Sequence, residues 1–127
     1  MAATPRPAPG TPDAAAIVSK AGARAAEILG INQGTFARIL GLSDATASRL
    51  HAGEHILKRD GKPYELALLL IRLFRGLDAL MGGEEAAIRS WMRAPNLALG
   101  ATPLALVTSV TGLVETVAYV DGARARL

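Results

Sequence analysis

The chain has 127 residues, with 14 Lys and Arg against 11 Asp and Glu and a formal net charge of +3. This length supports one modest hydrophobic core or two small helical halves that share one. Only 4% of the residues are aromatic, so the core must be built from Leu, Ile, Val and Ala, which favours helices. The absence of Cys excludes a structural disulfide and a thiolate metal site.

The excess positive charge lies in the first half of the chain. Residues 1–62 hold eight Lys and Arg and five Asp and Glu, whereas residues 63–127 hold six of each. This distribution favours a partner that is anionic at one end, with DNA first among the candidates and a solvated surface as the alternative.

Residues 1–12 carry four prolines and no large apolar side chain after Met1. This composition predicts a disordered arm. The apolar segment of a secretory signal does not follow the start, so we expect a cytoplasmic protein.

A first helix is predicted over residues 14–29, with Asp13 as its N-cap and Gly30 as its end. Gly22 in the middle of this helix makes a break possible there.

Residues 33–53 show the pattern of a helix, a tight turn and a second helix. Small Ala37 allows two helices to cross closely, Gly41 gives the turn its backbone freedom, and Gly53 ends the second helix. Phe36, Leu40, Leu42 and Leu50 are predicted to bury the seam between the helices. This is the helix-turn-helix pattern.

Residues 64–81 form the most apolar stretch of the chain. Its polar residues, among them Glu65, Arg72 and Arg75, follow helical spacing, which predicts a helix that is buried on most sides. Two arginines in this span argue against a membrane helix, so no membrane association is expected. A purely intramolecular core and a dimer seam remain alternatives for the excess apolar surface.

The last part of the chain begins after Gly82-Gly83 with a helix through Trp91, which Pro95 ends. An unusually apolar loop follows, and Thr102-Pro103 is an N-cap with proline at the first helical position. Gly112 is predicted to be a hinge between the helical segments that come next.

Several residues of this part occur in a characteristic order: Trp91, Pro95-Asn96, Leu99-Gly100, Thr102-Pro103-Leu104, Gly112-Leu113-Val114-Glu115 and Val117-Ala118-Tyr119-Val120. This series resembles the C-terminal toxin-binding domain of the Xre/MbcA/ParS antitoxins, which are partners of RES-domain toxins. With the upstream helices included, the resemblance covers roughly residues 17–127. Ser43-Asp44 and the residues up to Arg49 also resemble the recognition helix of Xre/Cro-type regulators, although Ala47 stands where Val or Ile is usual.

The resemblance implies an all-α fold, with an Xre-like helix-turn-helix module at residues 13–62 and a central helix and toxin-binding domain at residues 63–127. It implies a type II antitoxin that covers the NAD-binding cleft of a RES-domain toxin and represses its own operon. It implies that the last helices and the loop from Trp91 to Thr102 contact the toxin and that the end of the chain reaches the cleft, where Arg124, Arg126 and Leu127 are candidates for polar contacts. Asn96, Leu97 and Tyr119 are further candidates for the interface, because amphipathic rings and polar loop groups are common there. Trp91 is instead expected in the core, because a lone Trp at helical spacing usually faces inward.

The DNA contacts are predicted from the way such motifs dock, with the start of the second helix in the major groove. The side chains that would reach base edges are Asp44, Ala45, Thr46, Ser48 and Arg49. Gln33 and Ser43 lie at helix starts that face phosphate, and the flanking charge comes from Arg38, Lys58, Arg59 and Lys62. We favour a DNA contact for Arg49 and a helix-start role for Asp44, whose carboxylate repels phosphate.

Catalysis has little support in the sequence. His51-Ala-Gly-Glu54-His55 matches the H-x-x-E-H zinc-protease pattern, but Gly53 ends the helix there and no third ligand is evident, so we interpret the match as coincidental. No phosphate-binding loop or catalytic triad is recognisable. We therefore predict a protein that is not an enzyme and needs no metal or cofactor.

The expected partners are operator DNA, a RES-domain toxin and a second copy of the chain, because one short recognition helix reads too few base pairs for useful affinity. A higher-order complex with the toxin is expected from the resemblance. Two alternatives stay open: a plain transcriptional regulator whose C-terminal half only dimerises, and a scaffold that does not bind DNA.

Overall fold

A computed structural model describes residues 13–126. Within this range the chain forms seven helices, and its only β-type pairing is a bridge between Asn96 and Ala101. The helices are α1 (Ala14–Leu29), α2 (Gln33–Leu40), α3 (Asp44–His51), α4 (Lys62–Leu80), α5 (Glu85–Arg93), α6 (Pro103–Leu106) and α7 (Val110–Ala125). The all-α prediction is confirmed. The predicted arm and Leu127 lie outside the described residues.

Helix α1 begins and ends where the sequence predicts. The Asp13 side chain accepts from the backbone N–H of Ala15, and Gly30 ends the helix in the left-handed region with φ +78°. The break considered at Gly22 does not occur. A Cβ placed on Gly22 would lie 3.1 Å from the Cβ of Ala67 in α4, so this glycine allows α1 and α4 to cross closely.

Helices α2 and α3 form the predicted helix-turn-helix. The Asn32 side chain caps α2, Gly41 makes the turn with φ +71°, and the Ser43 side chain caps α3. Phe36, Ala37, Leu40, Ala47 and Leu50 are all buried, which closes the seam between the two helices. Ala47 is fully buried, so the inward position of α3 is filled by a small side chain.

Helix α4 is the centre of the molecule and packs against α1, α2, α5 and α7. Its buried face includes Leu70, Leu73 and Leu77. Gly76 lies against α7, because a Cβ there would be only 2.5 Å from Cγ1 of Val120. The exposed stripe contains Arg72, whose guanidinium lies 2.7 Å from the Asp121 carboxylate of α7. None of the helices within residues 13–126 combines the length and the apolar character of a membrane span.

The break in the last part of the chain differs from the prediction. Helix α6 ends at Leu106, and the Ser109 side chain caps α7, so the chain bends three residues before Gly112. Gly112 lies in the first turn of α7, where a Cβ would overlap the carbonyl group of Leu106. The glycine is therefore required by close backbone packing and does not act as a hinge.

Candidate DNA-binding and toxin-binding surfaces

Helix α3 buries one face and exposes the other. Ala47 and Leu50 are turned into the core, whereas Asp44, Ala45, Ser48 and Arg49 are exposed. The Ser43 hydroxyl accepts from the backbone N–H of Thr46 at 3.1 Å, which satisfies one free donor at the helix start. Helix α3 therefore presents a small polar surface in which Arg49 is the only Lys or Arg.

Thr46 is the least accessible of the residues predicted to reach DNA on α3. It is half-buried, and its hydroxyl accepts from Ser43 Oγ at 2.9 Å and from the guanidinium of Arg49 at 3.3 Å. This arrangement makes Thr46 a support for Arg49. The contact uses one of the five guanidinium N–H groups, so Arg49 keeps the donors that a bidentate contact to guanine or a phosphate contact needs.

Four further predicted DNA residues are exposed on the elements around α3, namely Gln33 at the start of α2, Arg38 in its last turn, and Lys58 and Arg59 in the segment after α3. Arg38 donates to the Thr35 hydroxyl at 3.1 Å. Lys62 begins α4 and lies 3.2 Å from the carboxylate of Glu65, so its charge is partly balanced.

The segment that carries Lys58 and Arg59 is attached to α1. The backbone N–H of buried Leu57 donates to the Ser19 hydroxyl at 2.8 Å, and the same hydroxyl donates to the carbonyl of Ala15 at 2.6 Å. Because Ser19 is also buried, water does not compete for these hydrogen bonds. Sequence reasoning missed Ser19, which looks like an ordinary helical serine.

The loop after α5 is closed by its own backbone. The N–H of Asn96 donates to the carbonyl of Ala101 at 3.2 Å, and the N–H of Gly100 donates to the carbonyl of Asn96 at 2.8 Å. The Asn96 side chain accepts from the N–H of Leu99 at 3.1 Å. Leu97 stands at the tip of this loop and is 99% exposed. An apolar side chain is therefore presented on a loop of defined shape.

Two family models match the chain. One is described as the antitoxin Xre-like helix-turn-helix domain and matches residues 8–72, which include α1, α2 and α3. The other is described as the antitoxin Xre/MbcA/ParS C-terminal toxin-binding domain and matches residues 76–126, which include α5, α6 and α7. The chain belongs to the Xre/MbcA/ParS antitoxins. It matches no curated protein. The two matches meet within α4, the helix on which both parts of the antitoxin pack.

Trp91 and Tyr119 of the antitoxin lie at the edge of the core. Both are half-buried, and their rings are stacked with centroids 6.4 Å apart and an interplanar angle of 20°. Trp91 packs against the core as expected, but its ring is not fully enclosed. Tyr119, which is predicted from the sequence to lie at the toxin interface, is therefore partly accessible.

Arg124 and Arg126 are exposed at the end of α7. The aliphatic part of Arg124 lies over Gly76, and its Cδ would be 3.5 Å from a Cβ there. Leu127, the remaining predicted toxin contact, lies outside the described residues.

The outer face of α7 carries two exposed valines. Val110 is 59% exposed and Val114 is 48% exposed, and they are one helical turn apart. The sequence shows that both residues are apolar, but it does not reveal which face of α7 packs against the other helices.

The antitoxin does not arrange the H-x-x-E-H residues as a zinc protease does. His51 is the last residue of α3, and Glu54 and His55 follow after the helix has ended. The His51 ring packs edge-on against Phe36, with centroids 5.1 Å apart. The pattern therefore does not place its two histidines on one helical face.

Proposed function

We propose that the antitoxin neutralises a RES-domain toxin by covering its NAD-binding cleft, and that it represses its own operon through the helix-turn-helix. The observation that carries the toxin-binding part is Leu97, a fully exposed leucine on a self-closed loop within the matched toxin-binding domain. Burial of a leucine in a partner is worth about 1.5–3 kcal/mol. Because the loop is closed before binding, little further ordering opposes that gain.

The polar part of the toxin interface would come from Tyr119, Arg124 and Arg126. The two arginines are exposed cations at the C-terminal end of α7, which suits anionic or carbonyl groups at the rim of a nucleotide cleft. Asn96 contributes indirectly, since its amide oxygen holds the backbone of the loop that presents Leu97.

The toxin-binding proposal is tested by expressing the co-purifying partner alone and together with the antitoxin. We expect growth arrest and NAD depletion from the partner alone and rescue by the intact antitoxin. Leu97→Asp should lose the rescue. The matched control is Leu68→Asp, because Leu68 is an exposed leucine on α4, 43% exposed and outside the matched toxin-binding domain. Rescue by Leu97→Asp as complete as that by the control would contradict the proposal.

The DNA-binding part is supported by the exposed outer face of α3 and the cations around it. We propose that Arg49 contacts base edges or phosphate, that Ser48 and Ala45 lie in the groove, and that Asp44 serves the helix start. A salt-dependent gel shift on a duplex from the protein's own promoter tests this, because phosphate contacts make affinity fall with salt. Arg49→Ala should weaken the shift, whereas Arg75→Ala, on the exposed stripe of α4, should not.

Homodimerisation is part of the same proposal, since two recognition helices must span successive half-sites. Sedimentation of the free protein should give the mass of two chains. The alternative function, a regulator whose C-terminal half only dimerises, is supported by exposed Val110 and Val114, which a second copy would bury. This alternative predicts that the protein binds its own promoter and that no toxic partner is found.

A further inference from the structure

A side chain of the part matched by the toxin-binding model contacts the part matched by the helix-turn-helix model at the C-terminal turn of α1. The carbonyl of Glu27 accepts from the backbone N–H of Gly30 at 3.1 Å and from the guanidinium of Arg89 at 3.1 Å. Arg89 belongs to α5, and 62 residues separate it from Glu27. A side chain of the toxin-binding domain therefore caps the end of a helix in the DNA-binding part, where cations are favoured.

The carboxylate of Glu27 continues this connection. One of its oxygens lies 3.1 Å from the guanidinium of Arg24, which in turn lies 3.8 Å from the carboxylate of Glu85 in α5. The other oxygen lies 3.5 Å from Nδ1 of His51. One residue of α1 thus contacts α5 through its backbone and the recognition helix through its side chain.

His51 is well placed to transmit a shift of α1 to α3. It is the last residue of the recognition helix, and its side chain is only 17% exposed. Its Nδ1 lies 3.5 Å from the Glu27 carboxylate, and its ring packs edge-on against Phe36. Phe36 is fully buried, so the core limits movement of the His51 ring toward it.

We infer that Glu27 is a positioning residue that couples α5 to the recognition helix, so that a change at α5 alters affinity for DNA. This inference rests on the proposed DNA binding through α3. The ion pairs around Glu27 are about half exposed, so the coupling is small. Exposed pairs of this kind support a change of about two- to fivefold in an equilibrium constant.

The first test measures affinity for the promoter duplex of Arg89→Ala, which removes the contact from α5. We expect a loss of about two- to fivefold. Arg89→Lys keeps the charge and one donor and should restore part of the affinity. The matched control is Arg72→Ala, which removes an equal charge and another interhelical contact, to Asp121, that does not reach α1 or α3. Equal losses in Arg89→Ala and Arg72→Ala would show that only net charge matters and would overturn the inference.

The second test asks whether the effect passes through the Glu27 side chain. In a Glu27→Ala background, Arg89→Ala should no longer change DNA affinity, because the link to His51 is already removed. Fully additive losses would overturn the inference. The NMR resonance of the His51 Cε1–H provides a readout without DNA: Arg89→Ala should shift it and Arg72→Ala should not. If no variant binds DNA but this shift is seen, the proposed DNA binding fails while the coupling stands; an unchanged resonance refutes the coupling.

Discussion

Removal of the Ser19 hydroxyl tests how the segment after the recognition helix is held. Ser19→Ala leaves the N–H of Leu57 without its partner, and Leu57 is only 2% exposed. An unsatisfied buried donor costs about 1–3 kcal/mol. Ala has a higher helix propensity than Ser, which offsets about 0.5 kcal/mol of this cost. We therefore expect the free energy of unfolding to fall by about 0.5–2.5 kcal/mol.

Urea denaturation followed by circular dichroism measures this change, and an unchanged slope against urea indicates that the unfolded state is unaffected. Ser90→Ala is the matched control, because Ser90 is an exposed helical serine on α5 and has the same propensity gain. A difference between the two variants below about 0.5 kcal/mol, the usual scatter of surface substitutions, would refute the reasoning about the Ser19 hydroxyl.

Three further predictions concern other sites. Leu97→Asp should weaken toxin binding by about tenfold or more in calorimetry and leave the melting temperature unchanged, since Leu97 is 99% exposed; an equal loss for Leu68→Asp would argue against the loop. Arg49→Ala should cost about 1–3 kcal/mol of promoter-binding free energy if Arg49 reads guanine, or lower the salt slope by about 1 if it contacts phosphate. If the variant shows neither of these changes, Arg49 is not part of the DNA interface. Gly112→Ala should lower the free energy of unfolding by about 1–3 kcal/mol, because its Cβ overlaps the Leu106 carbonyl; a melting temperature equal to that of the original chain would contradict this packing.

The helix boundaries near the start of the chain were predictable because short-range interactions set them. The Asp13 and Ser43 caps bond to N–H groups two and three residues away, and Gly30 and Gly41 end their helices through their own backbone conformation. The same holds for Thr102 at the start of α6. These signals lie within one turn of chain, so a single sequence contains them completely.

The predictions that were wrong or missing concern two kinds of contact. One is between residues far apart in the sequence, and the other is between neighbouring backbone segments. The sequence predicts a possible break at Gly22 because glycine weakens an isolated helix, yet the lack of a Cβ there is what lets α1 meet Ala67 of α4. The sequence predicts a hinge at Gly112, but the bend falls instead at the cap formed by Ser109. A glycine in a sequence is compatible with flexibility or with close packing, and only the residue packed against it in the fold shows which applies.

The sequence by itself determined the helical class, the helix-turn-helix and the family resemblance, because caps, apolar spacing and residue order are properties of the chain. The tertiary structure decided which apolar residues remain outside, leaving Leu97 at a loop tip and Val114 on an open face. It also joined Ser19 to Leu57 and Glu27 to Arg89, pairs 38 and 62 residues apart. Burial and such contacts depend on how helices pack against one another, and local pattern does not specify that packing.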